Sequence, residues 1–251
     1  MSKPSALWFS DSGTAFHGDE PYYFDNATLP WTGLVESQWT VIRDELQAFI
    51  AGQRDQLQPY VDGAMVSRPN RWRTWGLMFW TLKSPRHCAP FPRSWAILKD
   101  VPGLLAASFN LLEEQTTIKP HFGNTNAIFR CHLGLSIPAP APQCAFRVGD
   151  EVRSWEEGKL LVFCDAHQHT AWNNARQDRY VLVMDVMRPE YAHRKLYVAS
   201  RVLASIYLEP AYRKVKALRT WFGGERARSV VFRLLHIYYA ARLRLHALRP
   251  L

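Results

Sequence analysis

Between residues 120 and 189 the chain is cut into short apolar runs by Pro, Gly, Asn and Asp, and this punctuation limits it to a small all-β container more strictly than any other feature. Expected strands cover 127–137, 145–148, 159–164, 169–172 and 180–186, with 104–112 apolar and partly extended ahead of them. Many short strands at close spacing make a sandwich or barrel, and a jelly roll is the small version most often used to hold a metal at its mouth. The same stretch carries His121, the run Arg130-Cys131-His132, His169 and Arg179. Two imidazoles on a β-scaffold suit a divalent first-row metal, and arginines suit the carboxylates of a ligand. A metal enzyme using a small diacid is the expectation.

The flanks read differently. Leu34, Val35, Trp39, Ile42, Leu46, Phe49 and Ile50 recur at three and four, which predicts a helix over 34–57. Residues 71–81 hold Trp72, Trp75 and Trp80 and predict a strand against the core, followed by a short helix over 93–101 that Pro102-Gly103 ends. Residues 1–30 lack periodicity and are expected to wrap the domain. After Arg188-Pro189 helices are expected over 192–208, 210–222 and 225–248. In the last, Val230, Val231, Leu234, Leu235, Ile237, Tyr238, Ala241, Leu245 and Leu248 form a broad apolar face beside Arg226, Arg233, Arg242, Arg244 and Arg249. The expected fold class is mainly β with flanking helices, a double-stranded β-helix (jelly roll, cupin-like) over 1–190 plus a basic amphipathic helical extension over 191–251.

The formal charge of +9 belongs to that extension, where residues 192–251 carry thirteen Lys or Arg against only Glu209 and Glu225. The rest is close to neutral, so no nucleic-acid partner is expected. Cys88, Cys131, Cys144 and Cys164 are widely spaced with no CxxC pair, which points to reduced thiols in a cytoplasm rather than disulfides or a zinc knuckle. Neither a secretion leader nor a membrane span is evident. Peripheral membrane contact through the last helix stays open.

Pro120-His121-Phe122-Gly123-Asn124-Thr125-Asn126, Phe129-Arg130-Cys131-His132-Leu133-Gly134-Leu135, Trp155-Glu156-Glu157-Gly158-Lys159, Phe163-Cys164-Asp165, His169-Thr170-Ala171-Trp172-Asn173, Arg179 and Asp185-Val186-Met187-Arg188-Pro189 resemble the aspartyl/asparaginyl β-hydroxylase family. Its members are Fe(II)- and 2-oxoglutarate-dependent dioxygenases, and the resemblance spans about residues 30–190. It implies that His121 and His169 are the iron ligands. The carboxylate that many such oxygenases place two residues after the first His is Gly123 here, as in the animal enzyme, which implies a two-His site with water at the vacated position. Asp165 lies near enough in sequence to reach that water, although a supporting role is the expectation.

The resemblance further assigns Arg130 and His132 to the 2-oxoglutarate carboxylate next to iron and Arg179 to the distal one. Asn110 falls where the animal enzyme has a serine assisting the distal carboxylate, and Trp72 is placed in the same region. With O2, such a site hydroxylates an unactivated carbon and releases succinate and CO2. Trp155, Trp172, Phe129 and Phe163 are expected in the core, as are Cys131 and Cys164, and His167 is expected to be structural.

For the substrate, the β-carbon of an Asp or Asn, in a small molecule or a peptide, is the leading expectation. Its acid or amide would need another cation, for which Arg147, Arg153 and Arg176 are candidates. The alternative is a lipid A type hydroxylase oxidising an acyl chain at a membrane surface, although such relatives generally keep an acid at the place of Gly123. A non-catalytic binding module is the third reading.

Overall fold

In the computed structural model, which describes residues 6–221 and 223–247, the strands build two facing antiparallel sheets. The larger runs β1 (Gln58–Pro59), β2 (Trp72–Phe79), β4 (Leu104–Leu112), β11 (Arg179–Met187), β6 (Ile128–Ser136) and β9 (Leu160–Phe163), with β3 (Leu82–Lys83) beside β2. The smaller runs β5 (Thr116–His121), β10 (His169–Asn173), β7 (Cys144–Val148) and β8 (Glu151–Arg153). Side chains alternate faces along a strand, so each central strand divides its residues between two layers. Phe109 and Leu111 of β4, Cys131 and Leu133 of β6, and Leu182 and Met184 of β11 form one core with α1 (Thr32–Ser37), α2 (Trp39–Gln53) and α4 (Pro92–Leu98). Their neighbours Leu112, Val181 and Val183 face inward, against Ile118, Phe146 and Val148 of the small sheet. This is the expected jelly roll of the cupin type with flanking helices.

The helix expected over 34–57 is broken at Gln38 into α1 and α2, and the tryptophan segment is β2 with its neighbouring turn. α3 (Pro85–Cys88) and α4 each carry Pro in the first turn, where its missing N–H leaves no bond unmade. β5 was not among the expected strands, and one expectation is corrected. Periodicity does not single out β5, because Pro120 interrupts it; the strand forms since it lies at the edge of the small sheet, where a ladder donor is dispensable. Nor does a helix begin at Pro210: α5 (Lys195–Lys214) runs through it, losing one backbone bond near its end while Tyr212 stays buried, and α6 (Lys216–Trp221) follows.

The last helix, α7 (Glu225–Ala247), packs on α5. Val198, Val202 and Leu203 of α5 and Tyr239 and Leu243 of α7 share a core with Trp80, Leu105, Ile128 and Met187 of the barrel. Leu248 and Arg249, expected in this helix, and Phe222 lie outside the described residues. The N-terminal segment crosses the same end. Phe9 joins that core, and Asn126 accepts from Trp8 N and donates to Glu20 Oε1, which also receives Arg188 Nη1 at 2.9 Å.

Candidate active site

His121 ends β5 and His169 begins β10, and the two are direct partners across the antiparallel pair, which brings their ring centroids to 4.2 Å. Each Nδ1 meets a carbonyl of its own strand or approach: His121 that of Lys119 at 2.8 Å, His169 that of His167 at 2.9 Å. A carbonyl only accepts, so each Nδ1 carries the proton and each Nε2 keeps its lone pair. Burial pushes both imidazoles below their ordinary range, His169 furthest, and the proximity of His121 adds to this. Neutral rings with free Nε2 atoms are the form that binds a metal.

Gly123 sits beside them. A Cβ there would fall 2.0 Å from Asp165 Oδ2, so the Asp165 carboxylate fills the space that a side chain at 123 would take. Asp165 is wholly buried, and neither oxygen receives an aligned hydrogen bond, although Oδ2 lies 2.9 Å from Arg130 Nη1. Burial raises its carboxyl to about 7 against the opposing pull of Arg130. Among the described residues no third His, Cys, Asp or Glu converges with the histidine pair. The donor set nevertheless fits a two-imidazole iron site: paired lone pairs on one wall, and a carboxylate with spare acceptors behind the glycine.

The anion side is built on the large sheet. Arg179, at the start of β11, is 2% exposed, has no carboxylate partner among the described residues and leaves Nε unbonded. Its guanidinium lies 4.5 Å from the Trp155 ring centre, and burial lowers its pKa to about 10. A lone buried guanidinium is costly and fits a ligand carboxylate. His132, on β6, accepts a 3.3 Å bond at Nδ1 from Trp155 Nε1. Because an indole N–H only donates, neutral His132 carries its proton on Nε2, free for an acceptor. Burial, reinforced by Arg179, holds it well below its ordinary pKa.

Arg130 is placed differently from the other two. Asp185, its partner across β6 and β11, takes its Nε at 2.7 Å and Nη2 at 2.9 Å, and Asp165 faces Nη1. Asn110 accepts from Trp72 Nε1 at 3.0 Å and donates to Ser108, while Tyr60 stacks on Trp72 at 3.6 Å between ring centres. All seven expected residues, Trp72, Asn110, His121, Arg130, His132, His169 and Arg179, line one cavity, completed by Ile118, Phe146 and Val183. Arg147, Arg153 and Arg176 do not line it; Arg153 lies over the Tyr23 ring and Arg176 borders a separate depression.

Trp155 is buried as expected, yet sequence reasoning missed that it orients both His132 and Arg179. Nothing in its local pattern distinguishes it from Phe163, which only packs. His167 serves the N-terminal segment, its Nε2 meeting Glu20 O at 2.8 Å. Trp172 is half-buried and donates to Pro142 O. Cys131 and Cys164 are buried thiols that burial pushes up.

A model of the family described as Aspartyl/Asparaginyl beta-hydroxylase matches residues 36–189, taking in every one of these residues. The chain belongs to this family. An ornithine lipid ester-linked acyl 2-hydroxylase of Rhizobium tropici is 36% identical over 176 residues, covering 68% of this chain and 62% of that protein. The human aspartyl/asparaginyl beta-hydroxylase is 29% identical over 161 residues, 62% of this chain and 21% of that protein. The chain thus spans less than two thirds of the length of either family member. Among solved structures, a Pseudomonas putida prolyl-4-hydroxylase aligns at 14% identity and a TM-score of 0.44 over 72% of this chain and 96% of that one; at that distance it adds nothing to the assignment.

Proposed function

We propose that the chain is an Fe(II)- and 2-oxoglutarate-dependent hydroxylase acting on the acyl chain of a polar lipid. The observation that carries the reading is the juxtaposition, in one cavity, of two neutral imidazoles with free Nε2 atoms and a buried guanidinium that has no counter-ion among the described residues. His121 and His169 would hold the iron. Iron held there would supply O2 activation, with 2-oxoglutarate as the two-electron reductant, converted to succinate and CO2 as one oxygen enters a C–H bond. Arg179 anchors the distal carboxylate of 2-oxoglutarate in a dry pocket, and the Nε2–H of His132 donates to the other end. Arg130, whose donors are engaged by Asp165 and Asp185, contributes its charge to the wall rather than a free fork.

The substrate argument rests on what remains of the wall. Once the two diacid anchors are assigned, the cation that remains in the lining is Arg130, which Asp185 and Asp165 already neutralise, and Ile118, Phe146 and Val183 are apolar. Phe122, next to His121, is half exposed, and Val61, next to the stacked Tyr60, is almost fully exposed. The apolar part of the lining, Ile118, Phe146 and Val183, suits a hydrocarbon better than a carboxylate. The named activity of the Rhizobium relative supports the same reading. An Asp or Asn β-carbon is the second reading, supported by the family description, with its charged group held outside the cavity.

The deciding experiment is a mass-spectrometric search for a gain of one oxygen in polar lipids, free amino acids and peptides, coupled to succinate release. Product only from Asp or Asn would displace the acyl reading. Two variants examine the anchors. Arg179→Ala removes a charge-assisted bond and is expected to raise the 2-oxoglutarate KM tenfold to a hundredfold, following a loss of about 1.5 to 3 kcal/mol; an unchanged KM removes it from the role. Trp155→Phe removes the indole N–H together with the five-membered ring, and keeps an aromatic ring beneath Arg179. With about 1 kcal/mol lost through His132, the same KM is expected to rise roughly fivefold, and ring-nitrogen NMR is expected to show His132 leaving the pure Nε2–H tautomer.

A further inference from the structure

α7 is two-sided. Tyr239 and Leu243 are buried and Phe232 and Leu235 half-buried against α5. At 100° per residue, Val230, Leu234, Ile237, Tyr238, Ala241 and Leu245 fall together on the opposite side. They stand in solvent there, with Leu234 60%, Ile237 66% and Leu245 63% exposed. Arg226, Arg233 and Arg244 border this stripe along one flank and Arg242 along the other, all exposed and, among the described residues, none paired with an acid. From Arg226 to Ala247 the helix contains no Asp or Glu at all. Beside the stripe runs a groove walled by Leu82 and Lys83 of β3 against Tyr238, Arg242 and Leu245.

From this we infer that the outer face of α7 is a docking surface for an anionic lipid bilayer, on which the helix lies flat. An exposed aliphatic row gains by leaving water, and its arginine borders require negative charge at the same depth. A bilayer offers both, apolar chains below and phosphate headgroups at the level of the guanidinium groups, with Tyr238 suited to the boundary. A second copy of the chain would bring arginine rows against arginine rows without an acid between them. No described helix is long and apolar enough to cross a membrane, so the contact is one of lying on the surface. The inference takes its purpose from the acyl-chain reading, but its geometry is independent of it.

The test uses the full chain in flotation with vesicles of phosphatidylcholine alone and with 30 mol % phosphatidylglycerol, a composition chosen at about one charged lipid in three. Binding is expected only to the anionic vesicles, with at least tenfold loss in 0.5 M salt as the charge attraction is screened. The triple variant Leu234→Gln, Ile237→Gln, Leu245→Gln is expected to lose binding at least tenfold. It should keep the unfolding temperature and the 2-oxoglutarate KM of the parent, since the three side chains touch neither core nor cavity. Failure of the parent to bind, equal binding by the variant, or a dimer by light scattering that the variant dissociates would each overturn the inference. Hydroxylated lipid in detergent without vesicle binding removes the docking surface alone, whereas vesicle binding without any oxygenated lipid removes the acyl reading alone.

Discussion

His169→Ala is expected to end hydroxylation while leaving the chain folded, and His121→Ala to do the same. Each removes one of the two imidazoles that would hold the metal, and among the described residues no third His, Cys, Asp or Glu converges on them. Loss of a group that merely supports a ligand weakens metal binding tenfold to a hundredfold, so loss of a ligand itself is expected to exceed about a hundredfold. Anaerobic titration with Fe(II) or Mn(II), monitored by calorimetry, reads this directly, and circular dichroism reports whether the sheets persist. Retained affinity in either variant would remove the ligand assignment irrespective of any activity assay.

Gly123→Asp carries the second large effect, and its sign is opposite to what a comparison of motifs would suggest. Restoring the acid that other oxygenases have at this place would seem to complete the metal site. The new Cβ would instead fall 2.0 Å from Asp165 Oδ2, forcing two carboxylates into one buried space. Overpacking and an added buried charge together predict a loss of about 3 kcal/mol in folding stability, measured by urea denaturation. Adding Asp165→Gly should recover most of that loss, because it empties the space while Arg130 retains Asp185. Wild-type stability in the single variant would show that the two positions are not in contact.

How far the residues themselves reveal this arrangement can be judged element by element. The strands from 128 onward, apart from the short β8, were legible because short apolar runs alternate there with turn residues. β5 was not, since Pro120 masks a strand that only an edge position permits, and the partner that creates that edge, β10, lies about fifty residues later. The continuation of α5 past Pro210 was hidden for a related reason: local propensity opposes it, and packing overrides it. Within the site, the order of His121, Arg130, His132, His169 and Arg179 was readable as a set. What each does with its other atoms was not. That Asp185 grips Arg130 follows from strand register, that Asp165 covers Gly123 follows from a loop folding back, and that Trp155 fixes a tautomer follows from one interatomic distance. Such facts are three-dimensional and leave no periodic trace.

The shared core at the barrel's end bears on how this protein can be dissected. Trp80, Leu105 and Ile128 belong to the catalytic half by sequence, yet their covering comes from Phe9 at one terminus and Val198, Val202 and Leu203 near the other. A deletion stopping around residue 190, the obvious way to ask what the basic tail contributes, would strip the lid from those three side chains and invite aggregation. Whatever such a fragment failed to do would say little about the tail, and single-residue changes on the solvent side of the last helix are the cleaner instrument.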